Sequence, residues 1–233
     1  GYAIPEKSWS AFAQVQYDYA KRYFLTASFR ADASSLFGSK HRVGYFPSVA
    51  ASWMLTNESW LKDQDIMNMM KLRASYGLTG NNQISPYQYL SVYAFGPKYE
   101  DNVGAYLERL SNEDLRWETA YMAAIGLDFE FLKGRIGFSI DLYNTDNKDL
   151  LLNVPLAPST GFPSIMQNRG SVRNQGIELQ WNSGNVIVGD FRWDMGFNIS
   201  FNRNRVMELP NHESFLQTAS NVSQIVQEGE DIY

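Results

Sequence analysis

Apolar and polar residues alternate along much of the chain, which is the period of a β-strand with one face in an apolar environment. Residues 191 to 202 give the clearest case, with Phe191 and Trp193 on one side and Arg192 and Asp194 on the other. The alternation recurs in seven further segments, residues 11–19, 23–32, 45–54, 70–79, 117–131, 135–142 and 177–182. We therefore predict an all-β fold with eight strands, most of them near the about 9 to 11 residues that a tilted strand needs to cross a bilayer.

The links between these strands alternate between short and long. Short links are expected at residues 20–22, at 132–134 and around the NSGN sequence at 182–185, and long links at 33–44, 80–116 and 143–176. Short periplasmic turns and long extracellular loops are typical of an antiparallel transmembrane β-barrel, which is the fold class predicted here. The link 55–69 falls on the short-turn side, and its SWLKDQDIMNMMK segment predicts a helix with Asn57 as its cap.

Aromatic side chains on the apolar face gather beside the expected short turns. Such rings form girdles at membrane interfaces, because they tolerate one wet edge. The residues predicted to do so are Tyr17, Tyr19, Tyr23, Trp53, Phe129, Phe131, Trp181, Phe191 and Trp193. A soluble β-sandwich, such as a carbohydrate-binding or adhesin module, shows the same alternation and is the alternative.

Composition removes several other classes of protein. The 233 residues include no cysteine, so disulfide scaffolds and cysteine-based zinc sites are excluded. Twenty basic against 25 acidic residues give a net charge of −5, which argues against a nucleic-acid partner. The mean hydropathy of −0.35 is compatible with a membrane barrel, since lipid-facing and lumen-facing residues average out.

The opposite face and the long links hold the candidate binding chemistry. In the link 80–116, Asn81, Asn82, Tyr87 and Tyr89 are the predicted contacts with a solute or with a lid protein, because rings stack on sugars and amides satisfy hydroxyls. The inward-facing charged residues are predicted mainly to form a solvated ion-pair lining. They are Asp18, Arg30, Asp32, Lys71, Arg73, Glu118, Asp128, Glu130, Asp141, Arg192 and Asp194.

Catalytic and metal-binding patterns are weak. The chain has two histidines and neither a Gly-x-Ser-x-Gly elbow nor an HExxH motif, so no enzyme activity is expected. The acidic run from Asn144 to Asp149 lacks the glycine and distal glutamate of an EF-hand loop and is predicted to be a turn. No metal and no cofactor are expected.

Six segments, in order along the chain, carry a resemblance to a known family. They read SFRADASSLFG, HRVGYFPSVAASW, MKLRASYGLTGNNQ, LSNEDLRWETAYMAAIGLDF, IDLYNTDNKDLLLNVPLAPSTGF and NRGSVRNQGIELQW. Together they resemble the barrel of the SusC/RagA-type TonB-linked outer-membrane transporters of Bacteroidota. The chain departs from that family at Ala33, where glycine is usual, and at Leu36, where arginine is frequent.

The resemblance implies a transport function in the bacterial outer membrane. It implies a barrel of about 22 strands with a plugged lumen, a SusD-like surface lipoprotein as lid, and import of glycans or peptides driven through TonB, ExbB and ExbD. Residues 1–233 would then be the later part of the barrel, without the plug domain and the closing C-terminal strands. A passive porin with the same barrel is a further alternative.

Overall fold

The computed structural model describes residues 6–62, 65–99, 102–212, 214–219 and 222–231. Within these residues one antiparallel sheet of eight strands runs in chain order. Its strands are β1 (Ser8–Tyr19), β2 (Tyr23–Ser34), β3 (Val43–Met54), β4 (Met67–Asn81), β7 (Glu118–Phe131), β8 (Ile136–Lys148), β11 (Ser171–Val188) and β12 (Phe191–Glu208). Two hairpins lie in the long links, β5 (Val92–Tyr99) with β6 (Asn102–Arg109) and β9 (Leu151–Pro155) with β10 (Ser164–Asn168), and a third, β13 (Phe215–Ala219) with β14 (Val222–Val226), follows β12. The all-β antiparallel prediction is confirmed.

The register of the strands gives the sheet two unlike faces. Residues paired across an antiparallel ladder point to the same side. Tyr23 pairs with Tyr19 on one neighbour and with Trp53 on the other, so the apolar positions of successive strands share one face. The next row pairs Phe24 with Asp18 and Ser52, and it belongs to the polar face. We call these the outer face and the inner face.

The sandwich alternative is wrong for the described residues. A sandwich buries the apolar faces of two sheets against each other, whereas the eight strands here form one layer with an uncovered outer face. On that face Tyr17 is 59% and Phe191 is 63% exposed. The apolar rows therefore face outwards and do not form a dry centre.

Two short turns lie where the sequence predicts them. Ala20 and Lys21 both adopt positive φ, as do Leu132 and Lys133. Two successive residues of this kind give a hairpin turn whose twist matches that of the strands. The third short turn is not at 182–185, because β11 continues through these residues with an irregularity between Gly184 and Val186. The chain reverses at Gly189 and Asp190 instead.

The predicted helix in the link 55–69 is wrong over the described residues. The chain forms one 3-10 turn, Leu55–Asn57, followed by turns, and then enters β4 at Met67. Asn57 does not cap a helix: its Nδ2 donates to the Lys21 carbonyl at 2.6 Å. The hydrogen bonds from this link to neighbouring segments therefore outweigh the helical preference of its sequence. None of the helices in the described residues is long and apolar enough to cross a membrane.

The strands on the long-link side extend further than the sequence predicts. The pairing of β8 with β11 runs from Ser183 with Ile136 to Ser171 with Lys148. The run from Asn144 to Lys148 is therefore strand, and the turn predicted there is displaced to Asp149, which has a φ of 57°. The sequence did not predict this extension, because the polar residues from Asn144 to Lys148 end the alternation of apolar and polar positions.

Candidate functional site

The inner face carries an ion-pair network across three strands. Arg73 on β4 binds Asp128 on β7 through two bonds of 2.7 and 2.9 Å, and its Nη2 also reaches Asp141 on β8 at 2.9 Å. Gly126 makes the crossing possible, because a Cβ there would lie 2.7 Å from Arg73 Nη2. One arginine thus serves two carboxylates, which leaves this partly exposed network with a net charge of −1 within the predicted ion-pair lining.

Two further pairs line the same face. Arg30 binds Asp32 at 2.7 Å, and Arg192 binds Asp194. Each pair joins residues i and i+2 on one strand, where side chains share a face. A lining whose charges are paired in this way presents hydrogen-bonding groups to a polar solute without a strong net field.

An apolar cluster closes the long-link side. Phe37 and Leu115 are both fully buried, and the Trp117 ring lies 5.4 Å from the Phe37 ring and 5.6 Å from the Phe46 ring. The Trp117 indole N–H donates to the Arg42 carbonyl at 3.1 Å. The cluster therefore joins the link 35–42 to the segment that precedes β7.

Two glycines make room for this cluster. A Cβ on Gly44 or on Gly80 would collide with the ring of Phe46. The pairing of β3 with β4 begins at Ser48, next to Pro47, which has no amide hydrogen to offer a ladder. The first residues of β3 are thus not paired with β4, and the Phe46 ring can turn into the cluster.

Side-chain amides join the other long links. Asn168 donates to the carbonyls of Arg116 and Asp149 at 2.8 and 2.9 Å, and Arg116 binds the Asp149 carboxylate at 2.7 Å. Asn112 donates to the Met166 carbonyl at 2.8 Å. The β9–β10 hairpin is therefore fixed to the segment before β7. Asp149, the last residue of the acidic run that starts at Asn144, is paired with Arg116.

The four predicted solute or lid contacts lie at the end of β4 and in the link after it. Asn81 accepts from the Gln83 amide at 3.0 Å, and Asn82 donates to Ser34 Oγ at 3.1 Å. Tyr87 is exposed with a φ of 62°, and the Tyr89 ring lies close to Gly38. Asn82 and Tyr89 thus face neighbouring loops, while Asn81 and Tyr87 remain open. Their binding role stays a prediction.

The β5–β6 hairpin, which was not predicted from the sequence, displays aromatic rings of the link 80–116. Tyr93 is 67% and Phe95 is 81% exposed, and Tyr106 also lies open. The hairpin is tied to the rest of the link by Arg109, which donates to the Tyr87 carbonyl at 2.7 Å. The signal that could have revealed it is the short β-rich run VYAFGPKY, followed by NVGAYLER.

The predicted interface aromatics all belong to the outer face by register. Tyr23 stacks with Tyr19 at 6.5 Å and with Trp53 at 6.0 Å, and Phe129 stacks with Phe131 at 5.9 Å. Trp181 lies farther from its turn than expected, because that turn is at Gly189. Contact of these rings with lipid headgroups stays a prediction.

Glu58 joins these aromatics to the short-turn side. Its carboxylate accepts from the Tyr23 hydroxyl at 2.7 Å, from the Trp53 indole at 3.0 Å and from Arg22 at 3.3 Å. These bonds to the charged form lower the pKa of Glu58, the Tyr23 hydroxyl contributing most. The group therefore fixes the link after β3 to the turn before β2.

Glu58→Gln should destabilise the full-length protein at neutral pH. A lowered pKa in the folded state adds stability above the ordinary glutamate pKa, and this stability is lost as pH falls through the folded-state value. The gap between wild type and variant should therefore close below about pH 4.5. Denaturation midpoints from pH 3 to 8 measure it, with the exposed Glu113→Gln as control; an equal gap at every pH contradicts the assignment.

Comparison with known proteins identifies relatives of this sheet. A family model described as "TonB dependent receptor-like, beta-barrel" matches residues 2–223. The chain is 38% identical to TonB-dependent receptor P3 of Formosa agariphila, over 96% of this chain and 23% of the relative. It is 35% identical to TonB-dependent receptor SusC of Bacteroides thetaiotaomicron, over 89% of this chain and 22% of the relative.

A solved structure has the same fold. The RagAB peptide importer in its "open-open" state superposes with a TM-score of 0.89 at 27% identity, over 96% of this chain and 24% of that chain. The chain thus spans about a quarter of the relatives that it matches. The family match over most of the chain and the sheet with two unlike faces lead to one conclusion: the chain belongs to the TonB-dependent receptor-like β-barrel family.

Proposed function

We propose that this chain forms part of the wall of an outer-membrane importer, with its outer face against lipid. The height of the apolar surface supports this proposal best. On β12 the outward apolar residues run from Phe191 to Phe201. Ten steps of about 3.3 Å at a tilt of about 45° span about 23 Å along the membrane normal, close to the apolar band of about 25 Å on such barrels.

The proposed solute is a glycan or a peptide that passes along the inner face. The paired charges on this face offer donors and acceptors to such a solute. One relative is named a peptide importer, and another is a SusC protein. Asn81, exposed at the end of β4, and Tyr87, exposed in the link after it, are the proposed contacts with the solute.

The proposed energy source is TonB with ExbB and ExbD, which distinguishes an importer from a passive porin. Uptake of a labelled oligosaccharide and of a labelled peptide should be measured in cells that carry the full-length protein, with and without TonB. We expect one of the two to be taken up only when TonB is present. Equal uptake in both strains would support the porin, and uptake of neither would contradict the proposal.

The proposed partner is a SusD-like surface lipoprotein, and the β5–β6 hairpin is its proposed contact. Exposed aromatic rings anchor protein interfaces, because they bury much area with few freely rotating bonds. Tyr93 and Phe95 are such rings, on the long-link side where a lid would sit. RagAB supports a two-protein assembly for that relative.

Changing Tyr93 and Phe95 together to serine should lower retention of the lipoprotein by the full-length barrel at least about tenfold. Co-purification measures it. Trp60→Ser is the matched control, because Trp60 is equally exposed but lies on the short-turn side. Retained lipoprotein with lost uptake would assign the hairpin to the solute instead, and no change in either would exclude both roles.

A further inference from the structure

A group of arginines extends the outer face beyond its apolar surface. On β12 the outward row continues from Phe201 to Arg203 and Arg205, and register pairs Arg205 with Arg173 on β11. Two like charges directly opposite each other destabilise a ladder. Such an arrangement calls for an anion between the guanidinium groups.

The carboxylates nearby meet only part of this charge. Asp146 binds Arg173 through bonds of 2.6 and 3.0 Å, and Asp231 binds Arg203 at 3.1 Å. Arg205 differs, because its Nε is buried and has no hydrogen-bond partner among the described residues. A buried donor of this kind is costly to leave unpaired, so it is available to an acceptor that enters beside β12.

A small cavity lies between these arginines. Its volume is about 90 Å³, and its lining consists of Arg173, Gln175, Arg203, Arg205 and Met207. The lining thus offers guanidinium and amide donors and contains no carboxylate among the described residues. Arginine forks match the oxygens of a phosphate group.

The height of the cavity matches lipid headgroups. Arg203 lies about 5 Å and Arg205 about 9 Å beyond Phe201 along the membrane normal, given about 3.3 Å per residue and a tilt of about 45°. The headgroup layer on each side of a bilayer is about 5 to 8 Å thick, so Arg203 lies within it and Arg205 lies at its outer boundary. The long-link side is the extracellular side in the proposed function, on which this inference rests.

A larger polar recess adjoins the cavity and shares Arg173 and Met207 with it. It has a volume of about 690 Å³, and its lining includes Lys148, Gln167 and Glu208, besides Asn168 and Asp149, which already bind Arg116. Charged and amide side chains of this kind bind sugar hydroxyls. A headgroup that carries both a phosphate and sugars would fill both spaces.

We propose that the arginine cavity binds the phosphate of a glycolipid in the outer leaflet of the membrane. Arg205 donates to the phosphate oxygens, with Arg173 and Arg203 beside it, and the sugars of the headgroup enter the polar recess. The lipid is then held against β11 and β12 on the outside of the barrel, apart from the path of the solute.

The test uses the full-length protein in detergent, stripped of lipid, and measures binding of lipid A by native mass spectrometry. The comparison probes are the same lipid after enzymatic removal of its phosphates, and inorganic phosphate. We expect the phosphorylated lipid to bind at least about tenfold more tightly than the dephosphorylated lipid. Equal binding of both lipids overturns the proposal, and equal occupancy by inorganic phosphate overturns the lipid as its source.

Variants assign the binding to the cavity. Arg205→Gln should weaken lipid A binding at least about tenfold, and Arg205→Lys should weaken it less, because lysine keeps the charge but not the fork. Arg192→Gln is the matched control, since Arg192 lies on the same strand in an inner-face pair. An equal loss in the control overturns the proposal, and the wild-type lipid comparison still decides if a variant fails to fold.

The outcome is separable from that of the proposed function. Lipid binding by the purified protein requires neither TonB nor a solute, whereas uptake requires both. If uptake fails while lipid binding is intact, the importer proposal is contradicted and the lipid site stands. If uptake is intact while lipid binding fails, only the lipid site is contradicted.

Discussion

Met195→Arg should destabilise the full-length protein in a lipid bilayer by about 2–4 kcal/mol, the cost of a cation on the lipid face near the midplane of a barrel. Met195 lies on the outer face between Phe191 and Phe201, near the middle of the apolar row. Methionine and arginine are both long and unbranched, so most of the cost is the charge and not the shape. Reversible unfolding in vesicles measures the difference.

Asn198→Arg is the matched control for this prediction. Asn198 lies three residues further along the same strand and pairs with Gln180 on the inner face. A cation there meets water in the lumen, so we expect a change of less than about 1 kcal/mol. Equal costs for the two variants would mean that the two faces do not differ in solvent, and the importer proposal would then lose its main support.

Phe37→Ala should cost about 3–5 kcal/mol of the stability of the cluster around Phe37 and Trp117, as for other fully buried phenylalanines. Phe37 has no exposed surface and packs against Trp117, so truncation leaves a cavity in the cluster that joins two long links. The strands of the eight-stranded sheet carry their own ladders, and for that reason the loss should be local. Hydrogen exchange of residues 35–42 and 110–117 in the full-length protein measures it.

Two variants make this result specific. Phe95→Ala removes the same side chain from a position that is 81% exposed and should leave exchange in both segments unchanged. Phe37→Leu keeps most of the apolar volume and should recover most of the lost protection. If Phe37→Ala leaves exchange unchanged, the cluster does not hold the loops together.

A strand with only one face in an apolar environment can be predicted from the sequence, because its apolar and polar residues alternate. The segment 191–202 alternates without interruption and 23–32 alternates except at Phe24, and both lie inside strands that begin at the predicted residue. The extensions of β8 and β11 were missed, because Asn144 to Lys148 are polar on both faces and Ser171 to Gln175 are polar except at Val172. Period 2 is visible only where the two faces differ in polarity.

The links were predicted less well than the strands, for a related reason. SWLKDQDIMNMMK has helical spacing, but Glu58 and Asn57 bind groups on β2 and on the turn before it. Such partners lie about 35 residues away along the chain. Local propensity is a weak signal, and contacts of this kind override it.

The candidate site shows the same division. The presence of asparagines and tyrosines after β4 is a property of the sequence, but which of them are open depends on folding. Asn82 donates a hydrogen bond to Ser34, whereas Asn81 is exposed at the end of β4. The arginines at 173 and 205 lie far apart in the chain, and only the register of β11 with β12 brings them together.

The sequence by itself determined the strand class, the two unlike faces and the family, because a period of two and six ordered segments are properties of the chain alone. The tertiary structure decided the place of the third short turn and the conformation of the link after β3. It also decided the buried cluster around Phe37 and the arginine cavity. Each of these depends on hydrogen bonds or packing between residues distant in the chain. Such partners become neighbours only when the ladders fix their register.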